Sequence, residues 1–439
     1  MRSLAFALVA ILPFCGYVVG TPASVPPVAK IPLTKRASSK LTNDQGVVSA
    51  SALQNELARA KSKLARGFSA FQKNTGRAHP SDTQDLAKLA SSRKRATGAD
   101  PLTDDEDGAL WQGGISVGTP AVDFTVDFDT GSSDLFLPGQ NCGTTCEGHT
   151  IFNTAASSTA VNQNQQASLA FGDGSTVNAD IFEDTVTVAG LTATSQTVGA
   201  ATQYSPGFEI DEFPPDGLMG MAFPEISVFQ ANPVFQTLIA QGAVTASQFG
   251  VKLATSGSEL FLGGVDTALF EGDFTNNPVT EVGFWQIDLQ SVNVNGEAAV
   301  SDLSAIIDTG TTLIVGDPDN VAAFYAAIPG SADASNTVGA GFFTGEDQDL
   351  VKRFFVHSAR FPVPCDAILA VSMTFGGTSF TLSPDTFNLG LVSAGSNDCV
   401  GGITASDLGN FWVTGDVFLQ NVYTSFDVGN TQVSFANLA

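Results

Sequence analysis

The chain has 439 residues, 43% of them hydrophobic, and its 44 Asp and Glu against 19 Lys and Arg give a formal charge of −25 at neutral pH. That content suits globular cores in about two or three domains and excludes a disordered chain. So large an acidic surplus would repel phosphates, which argues against a nucleic-acid partner.

The first 20 residues follow a secretory pattern: Arg2, an apolar run from Leu4 to Phe14, then small residues near Gly20. Pro13 interrupts the run, which is too short to span a bilayer, and no other stretch reaches 18 uninterrupted apolar residues. A secreted, extracellular product with no membrane partner is expected, an acidic vacuole being the other destination. Residues 21–95 then carry 14 Lys and Arg against 4 Asp and Glu, whereas residues 96–439 carry only Lys252, Lys352, Arg353 and Arg360 against 40 acids. The two parts attract each other near neutral pH. They join at SSRKRATGADP, where Lys94-Arg95 marks a dibasic processing site; Lys35-Arg36 is a second such pair.

Within the basic segment, Ser51 with Gln54 makes a capping-box pattern. Leu53, Leu57, Ala60 and Leu64 recur on one helical face, with Arg59, Lys61, Lys63 and Arg66 on the other. The natural partner of such a helix is the acidic body of the same chain. The acidic run at 104–107 is expected to be solvated. From residue 108 onward short alternating runs such as GGISVG, VDFTVDFD, DTVTVAG and VSMTFGG, punctuated by Gly, Asn, Asp and Ser, predict an all-β fold. Helices are predicted only at 232–242 and 318–328 in this part.

Cys15 lies in the leader, leaving four cysteines. Cys142 with Cys146 and Cys365 with Cys399 is the simplest of three pairings. A zinc site is the rival, but there is no CxxC and only His149 lies nearby, so neither metal nor cofactor is expected. His149 and His357 are expected at the surface, and no N-x-Ser/Thr sequon is present.

One motif occurs twice, in VDFDTGSSDLFLPG at 126–139 and AIIDTGTTLIVG at 305–316. Each copy follows an apolar run and continues into a hydroxyl, Ser132 or Thr311. About a hundred residues beyond each comes an apolar segment containing Gly, DGLMGMAF at 216–223 and FWVTGDVF at 411–418. A whole lobe is duplicated. If the copies meet on a pseudo-twofold axis, Asp129 and Asp308 share one site, and two carboxyls so close cannot both ionise. One then activates a water against a carbonyl carbon while the other, protonated, hydrogen-bonds the carbonyl oxygen. Ser132 and Thr311 would bind the outer carboxylate oxygens, and Thr130 and Thr309 would tie the turns together. Asp127 shares the face of Asp129, as a solvated edge charge or as a cleft wall.

From about residue 110 the chain resembles the pepsin-family aspartic endopeptidases, fungal secreted members among them. GGISVGTPAVDFTVDFDTGSSDLFLPG, DGLMGMAFPEIS, GSELFLGGVD, FWQIDLQSVNVNGE, AIIDTGTTLIVG and FWVTGDVF carry the resemblance. It implies a bilobal all-β fold with a catalytic cleft between the lobes. Its divisions would be a signal peptide at 1–20, a basic propeptide at 21–95, an N-terminal lobe at 96–272 with the first DTG and the flap, and a C-terminal lobe at 273–439 with the second. It implies catalysis by Asp129 and Asp308, supported by Thr130, Gly131, Ser132, Thr309, Gly310 and Thr311. Protein and peptide substrates are expected, with the propeptide as the chain's own inhibitor and a monomeric state. Lys73, in FQKNTG, is the propeptide residue expected to reach the pair. The flap matches LAFGDGSTVNADIF at 169–182, with Phe171 in place of the usual tyrosine and Phe136 in place of its tryptophan partner. Asp127, Phe136, Phe171, Gly172 and Asp173 are the expected substrate-binding residues. The rival reading is a pepsin-fold protein that binds peptides or inhibits other enzymes without cleaving; both DTG copies are complete, which favours the acid endopeptidase.

Overall fold

The computed structural model describes residues 28–35, 41–43, 45–83, 86–87, 111–170, 176–254, 256–344, 370–396 and 398–439. The leader, Arg36, Lys94-Arg95, the acidic run at 104–107, Phe171, Gly172, Asp173, His357 and Cys365 lie outside the described residues.

Strands dominate, as the alternating runs require. The chain begins with β1 (Ala29–Lys35) and α1 (Ala50–Thr75), then β2 (Trp111–Val117), β3 (Val122–Asp129) and β4 (Leu135–Pro138). In β2 every second residue, Trp111, Gly113, Ile115 and Val117, is buried, the period of a strand with one covered face. The two helices predicted in the body are present at Val234–Ala240 and Pro318–Ala326. Asp317 caps the second by accepting from the Asn320 N–H.

The duplication is visible in the strand pairing of the two lobes. β3 runs parallel to Gly217–Gly220, which pairs antiparallel with β4. In the same way Glu297–Ile307 runs parallel to Trp412–Thr414, which pairs antiparallel with Ile314–Gly316. Each DTG turn thus leaves the end of one strand and is crossed by the strand from a hundred residues later. The crossing strands each need a glycine there: a Cβ on Gly220 would sit 2.4 Å from the Ser133 nitrogen, and one on Gly415 2.0 Å from the Thr311 carbonyl oxygen. The fold is an all-β, bilobal one whose two turns face each other at the join.

The basic N-terminal segment is part of this architecture. β1 lies inside a 13-stranded sheet, paired on one side with Ser258–Leu262 and on the other with β2. Helix α1 starts at an N-cap that differs from the expected one. Ser49, two residues before Ser51, caps the helix by accepting from the Ala52 N–H. Gly76, in the left-handed conformation at φ 76°, ends it and donates to the Gln72 carbonyl. Leu53, Leu57, Ala60 and Leu64 are buried on the body as expected, within one core that includes residues of both repeats.

Candidate active site

Asp129 ends β3 and Asp308 follows Ile307 directly, so each carboxyl stands on the rim of a rigid sheet. The two turns treat them identically. The Gly131 N–H donates to Asp129 Oδ1 at 2.9 Å and the Ser132 hydroxyl to Oδ2 at 2.6 Å. The Gly310 N–H donates to Asp308 Oδ1 at 2.9 Å and the Thr311 hydroxyl to Oδ2 at 2.6 Å. Between the turns, the Thr130 N–H donates to Thr309 Oγ1 at 3.1 Å and the Thr309 N–H to Thr130 Oγ1 at 3.0 Å. Glycine is required after each threonine because a Cβ on Gly131 would meet the Asp308 carboxyl at 2.5 Å, and one on Gly310 would meet Asp129 Oδ1 at 2.3 Å. Exposures of 1% for Asp129 and 3% for Asp308 show how fully this pair is enclosed.

The enclosing group is a lysine of α1. Lys63 Nζ donates to Asp129 Oδ1 at 3.0 Å, to Asp308 Oδ1 and Oδ2 at 3.0 and 2.9 Å, and to the Gly310 carbonyl at 2.7 Å. The expectation for Lys73 is therefore corrected: Lys73 is exposed near the C-terminal end of α1, and Lys63 reaches the pair. Lys63 was also grouped with Arg59, Lys61 and Arg66 on the face opposite the leucines. It instead lies on a stripe with Glu56, Ala60 and Gly67 that faces the cleft, and that spacing was the signal in the sequence. Gly67 lets the helix descend, since a Cβ there would sit 2.2 Å from Phe284 Cζ.

Electrostatics follow from this burial. Lys63 is itself penalised by burial, but the charges of Asp129 and Asp308 outweigh that and raise its pKa. Burial pushes Asp129 up, yet the Lys63 ammonium, with hydrogen bonds from Ser132 and Lys63, brings it below the usual carboxylate value. Asp308 is pushed up to about 6 by burial and, further, by the Asp129 charge, against the pull of Lys63. The carboxyls titrate as one unit in which Asp129 ionises first. Asp127 is not a solvated edge charge. It is 2% exposed, accepts a main-chain hydrogen bond from Trp111 and has no partner for Oδ1. Burial first, and Asp129 second, raise its pKa well above the usual value.

The basic segment makes further contacts with the body. The Thr312 hydroxyl donates to Glu56 Oε2 at 2.9 Å, and Arg66 Nη1 donates to the Ala170 carbonyl at 2.8 Å. Ala170 ends one strand of the hairpin Val161–Ala170/Thr176–Val188, the predicted flap, whose tip lies outside the described residues. Asn74 Nδ2 donates to the carbonyls of Glu225 and Ser227, and Arg77 pairs with Glu281 at 2.6 Å. Phe136 is buried in a cluster with Leu169 and Val177 of the hairpin and meets Tyr204 and Phe208 edge-on. Its expected contact with Phe171 falls outside the described residues.

Cys142 and Cys146 form the expected tight disulfide loop. Cys399 is also disulfide-bonded, and Cys365 lies outside the described residues. His149 is not at the surface: it is buried, and its Nε2 lies 2.9 Å from the Phe208 carbonyl. Among the described residues no group of three or more His, Cys, Asp or Glu side chains is arranged to hold a metal. Nor is any helix among them long and apolar enough to cross a membrane.

Residues 111–438 match the family model described as eukaryotic aspartyl protease. The chain is 40% identical over 435 residues to an aspartic protease of Phaffia rhodozyma, covering 99% of this chain and 97% of that protein. It is 35% identical over 340 residues to pepsin A of Sus scrofa, covering 74% and 81%. To major aspartyl peptidase 1 of Cryptococcus neoformans it is 32% identical over 375 residues, covering 79% and 72%.

Proposed function

The chain belongs to the eukaryotic aspartyl protease family and is an aspartic-type endopeptidase with peptide substrates, and from that premise we propose that it is exported as a zymogen in which residues 21–95 inhibit the pair Asp129–Asp308. The observation that carries this reading is Lys63, whose ammonium bonds to both carboxylates. A water needed between the two carboxyls cannot share that position with the lysine.

Catalysis in the released enzyme follows from the asymmetry that proximity imposes. With Lys63 gone, repulsion between the buried carboxyls makes them hold one proton in common. The ionised carboxyl takes a proton from the attacking water as its oxygen bonds to the scissile carbonyl carbon, and the protonated one donates to the carbonyl oxygen. Collapse of the tetrahedral species breaks the C–N bond as the departing amine takes the proton that the first carboxyl removed from water, and a hydroxyl of the tetrahedral carbon returns a proton to the second carboxyl. Gly131, Ser132, Gly310 and Thr311 fix the carboxyl planes, and Thr130 with Thr309 fixes the distance between the turns.

Substrate contacts are assigned to Asp127, Gly172 and Asp173, and to Phe171 at the flap. Burial of Phe136 beneath the hairpin supports a role in holding the flap. An ionised Asp173 would receive a lysine ammonium just before the scissile bond, which an apolar pocket rejects, while Asp127, whose pKa burial raises, would contact it as a neutral carboxyl. Division at Lys94-Arg95, extracellular release and a monomeric state belong to the same reading. Acid incubation of the purified precursor with a protein substrate, with and without pepstatin, tests it: pepstatin-sensitive cleavage preceded by loss of the N-terminal segment is expected. Cleavage of substrate by the intact precursor at neutral pH would overturn it.

A further inference from the structure

Ion pairs between the basic segment and carboxylates of ordinary pKa fade near pH 4, and the pair of Lys63 with the raised Asp308 fades nearer 6. One group of the segment is built to respond earlier. His79 follows α1 and is 2% exposed, enclosed by Phe68 and Phe71 of the helix and Phe284 of the body, with ring centroids 5.0, 4.8 and 5.8 Å away. Its Nδ1 accepts the Ser81 N–H at 3.2 Å, so the lone pair that a second proton would occupy is already in use. Its Nε2 is buried with no hydrogen-bond partner. The neutral ring leaves one N–H unanswered; the imidazolium would leave two and break the bond to Ser81.

We propose that His79 is an acid sensor for release of the inhibitory segment, its aromatic cage accepting the neutral imidazole and expelling the imidazolium. The proposal rests on the zymogen reading above. Burial lowers the ring's pKa to about 4 while the segment is docked, against 6.5 for a free imidazole. A depressed base binds fewer protons docked than released, so docking weakens as pH falls from 6.5 and the loss is complete below 4. Two charged groups act on the ring, Glu281 of the body favouring protonation and Arg77 of the segment opposing it. They pair with each other at 2.6 Å, so their effects on the ring oppose. Asp82, next along the segment, accepts instead from the Leu86 and Ala87 N–H groups. His79 also sits between two anchors, Arg77 on Glu281 and Ser81 Oγ on Gln286 at 2.9 Å, so expelling the ring loosens both.

The experiment compares wild-type precursor with His79→Phe, which fills the cage, and His79→Asn, which keeps an acceptor for the Ser81 N–H. Opening is read by binding of a fluorescent pepstatin and by self-conversion on gels from pH 7 to 3, each normalised to the matured enzyme. Relative to the two non-titrating variants, the wild type should gain about 100-fold in opening between pH 6.5 and pH 4. Both variants should flatten by the same amount whatever their absolute levels. Equal pH slopes in all three precursors overturn the sensor while leaving the zymogen intact. Wild-type precursor that binds pepstatin at pH 7 as well as matured enzyme does overturns both.

Discussion

Thr130 and Thr309 exchange hydrogen bonds across the join of the two repeats, and each hydroxyl donates onward to the opposite strand, Thr130 to the Ile307 carbonyl at 3.0 Å and Thr309 to the Phe128 carbonyl at 2.7 Å. The distance between Asp129 and Asp308 is therefore set by buried main chain. Thr309→Val should orphan the Thr130 N–H and the Phe128 carbonyl, at about 1–3 kcal/mol each. Urea unfolding of the precursor should show that loss, and the matured variant should lose kcat more than it gains KM.

Lys63→Met keeps the length of the side chain and removes the cation from two buried carboxyls. Breaking such a cluster on one side costs about 3–5 kcal/mol. The precursor should melt earlier and cleave a peptide at pH 6 at least about tenfold faster, since 1.4 kcal/mol already corresponds to tenfold. Lys73→Met, at an exposed position, should leave both readings unchanged.

Gly67→Ala tests how closely the helix must approach. In a free helix the change would stabilise by about 1 kcal/mol, but the added methyl would lie 2.2 Å from Phe284 Cζ, and overpacking costs about 1–3 kcal/mol. Circular dichroism of a peptide spanning α1 should show more helix. Acid conversion of the full precursor should nevertheless begin at a higher pH than in wild type.

Asp127 makes a prediction about stability rather than rate. Its folded-state pKa is raised, by burial first and Asp129 second, so the folded chain holds a proton that the unfolded chain has released. That contribution is complete at low pH and is lost as pH rises from the ordinary carboxylate value through the raised one. The loss runs at up to about 1.4 kcal/mol per pH unit. Asp127→Asn should melt like wild type at pH 3 and above it at pH 7. Melting curves that stay parallel across that range would remove the assignment.

The paired turns, the strands and the apolar face of α1 were legible because each is a local pattern: a repeated tripeptide, a period of two, a period near 3.6. What the sequence hid was non-local. Lys63 reads as one basic residue among several on its face because nothing within its own helix singles it out, and its partners lie 66 and 245 residues away. His149 was misplaced, and Asp127 left open between two readings, for the same reason: polar residues read outward unless the burying surface is known. Ser49 lost to Ser51 in the capping pattern because both are serines, and only the chain's entry from Val48 decides which one turns the corner.

Strand β1 gives the precursor a property unlike that of the rest of its N-terminal segment. Its main-chain hydrogen bonds, over five residue pairs with Ser258–Leu262 and two with β2, involve no titrating group and hold in acid as in neutral solution, whereas its Lys30 side chain adds contacts with Asp266 and Glu259 that acid weakens. Lys63, Arg77 and His79 all lie beyond it, and the dibasic pair Lys35-Arg36 begins at its last residue. A cut there would separate a piece that acid ejects from a piece that acid leaves woven into the sheet. On the zymogen reading, maturation would then have two clocks: a fast one, set by protons, that uncovers the carboxyls, and a slow one, set by the unzipping of a strand, that decides when the finished enzyme has a sheet edge to close.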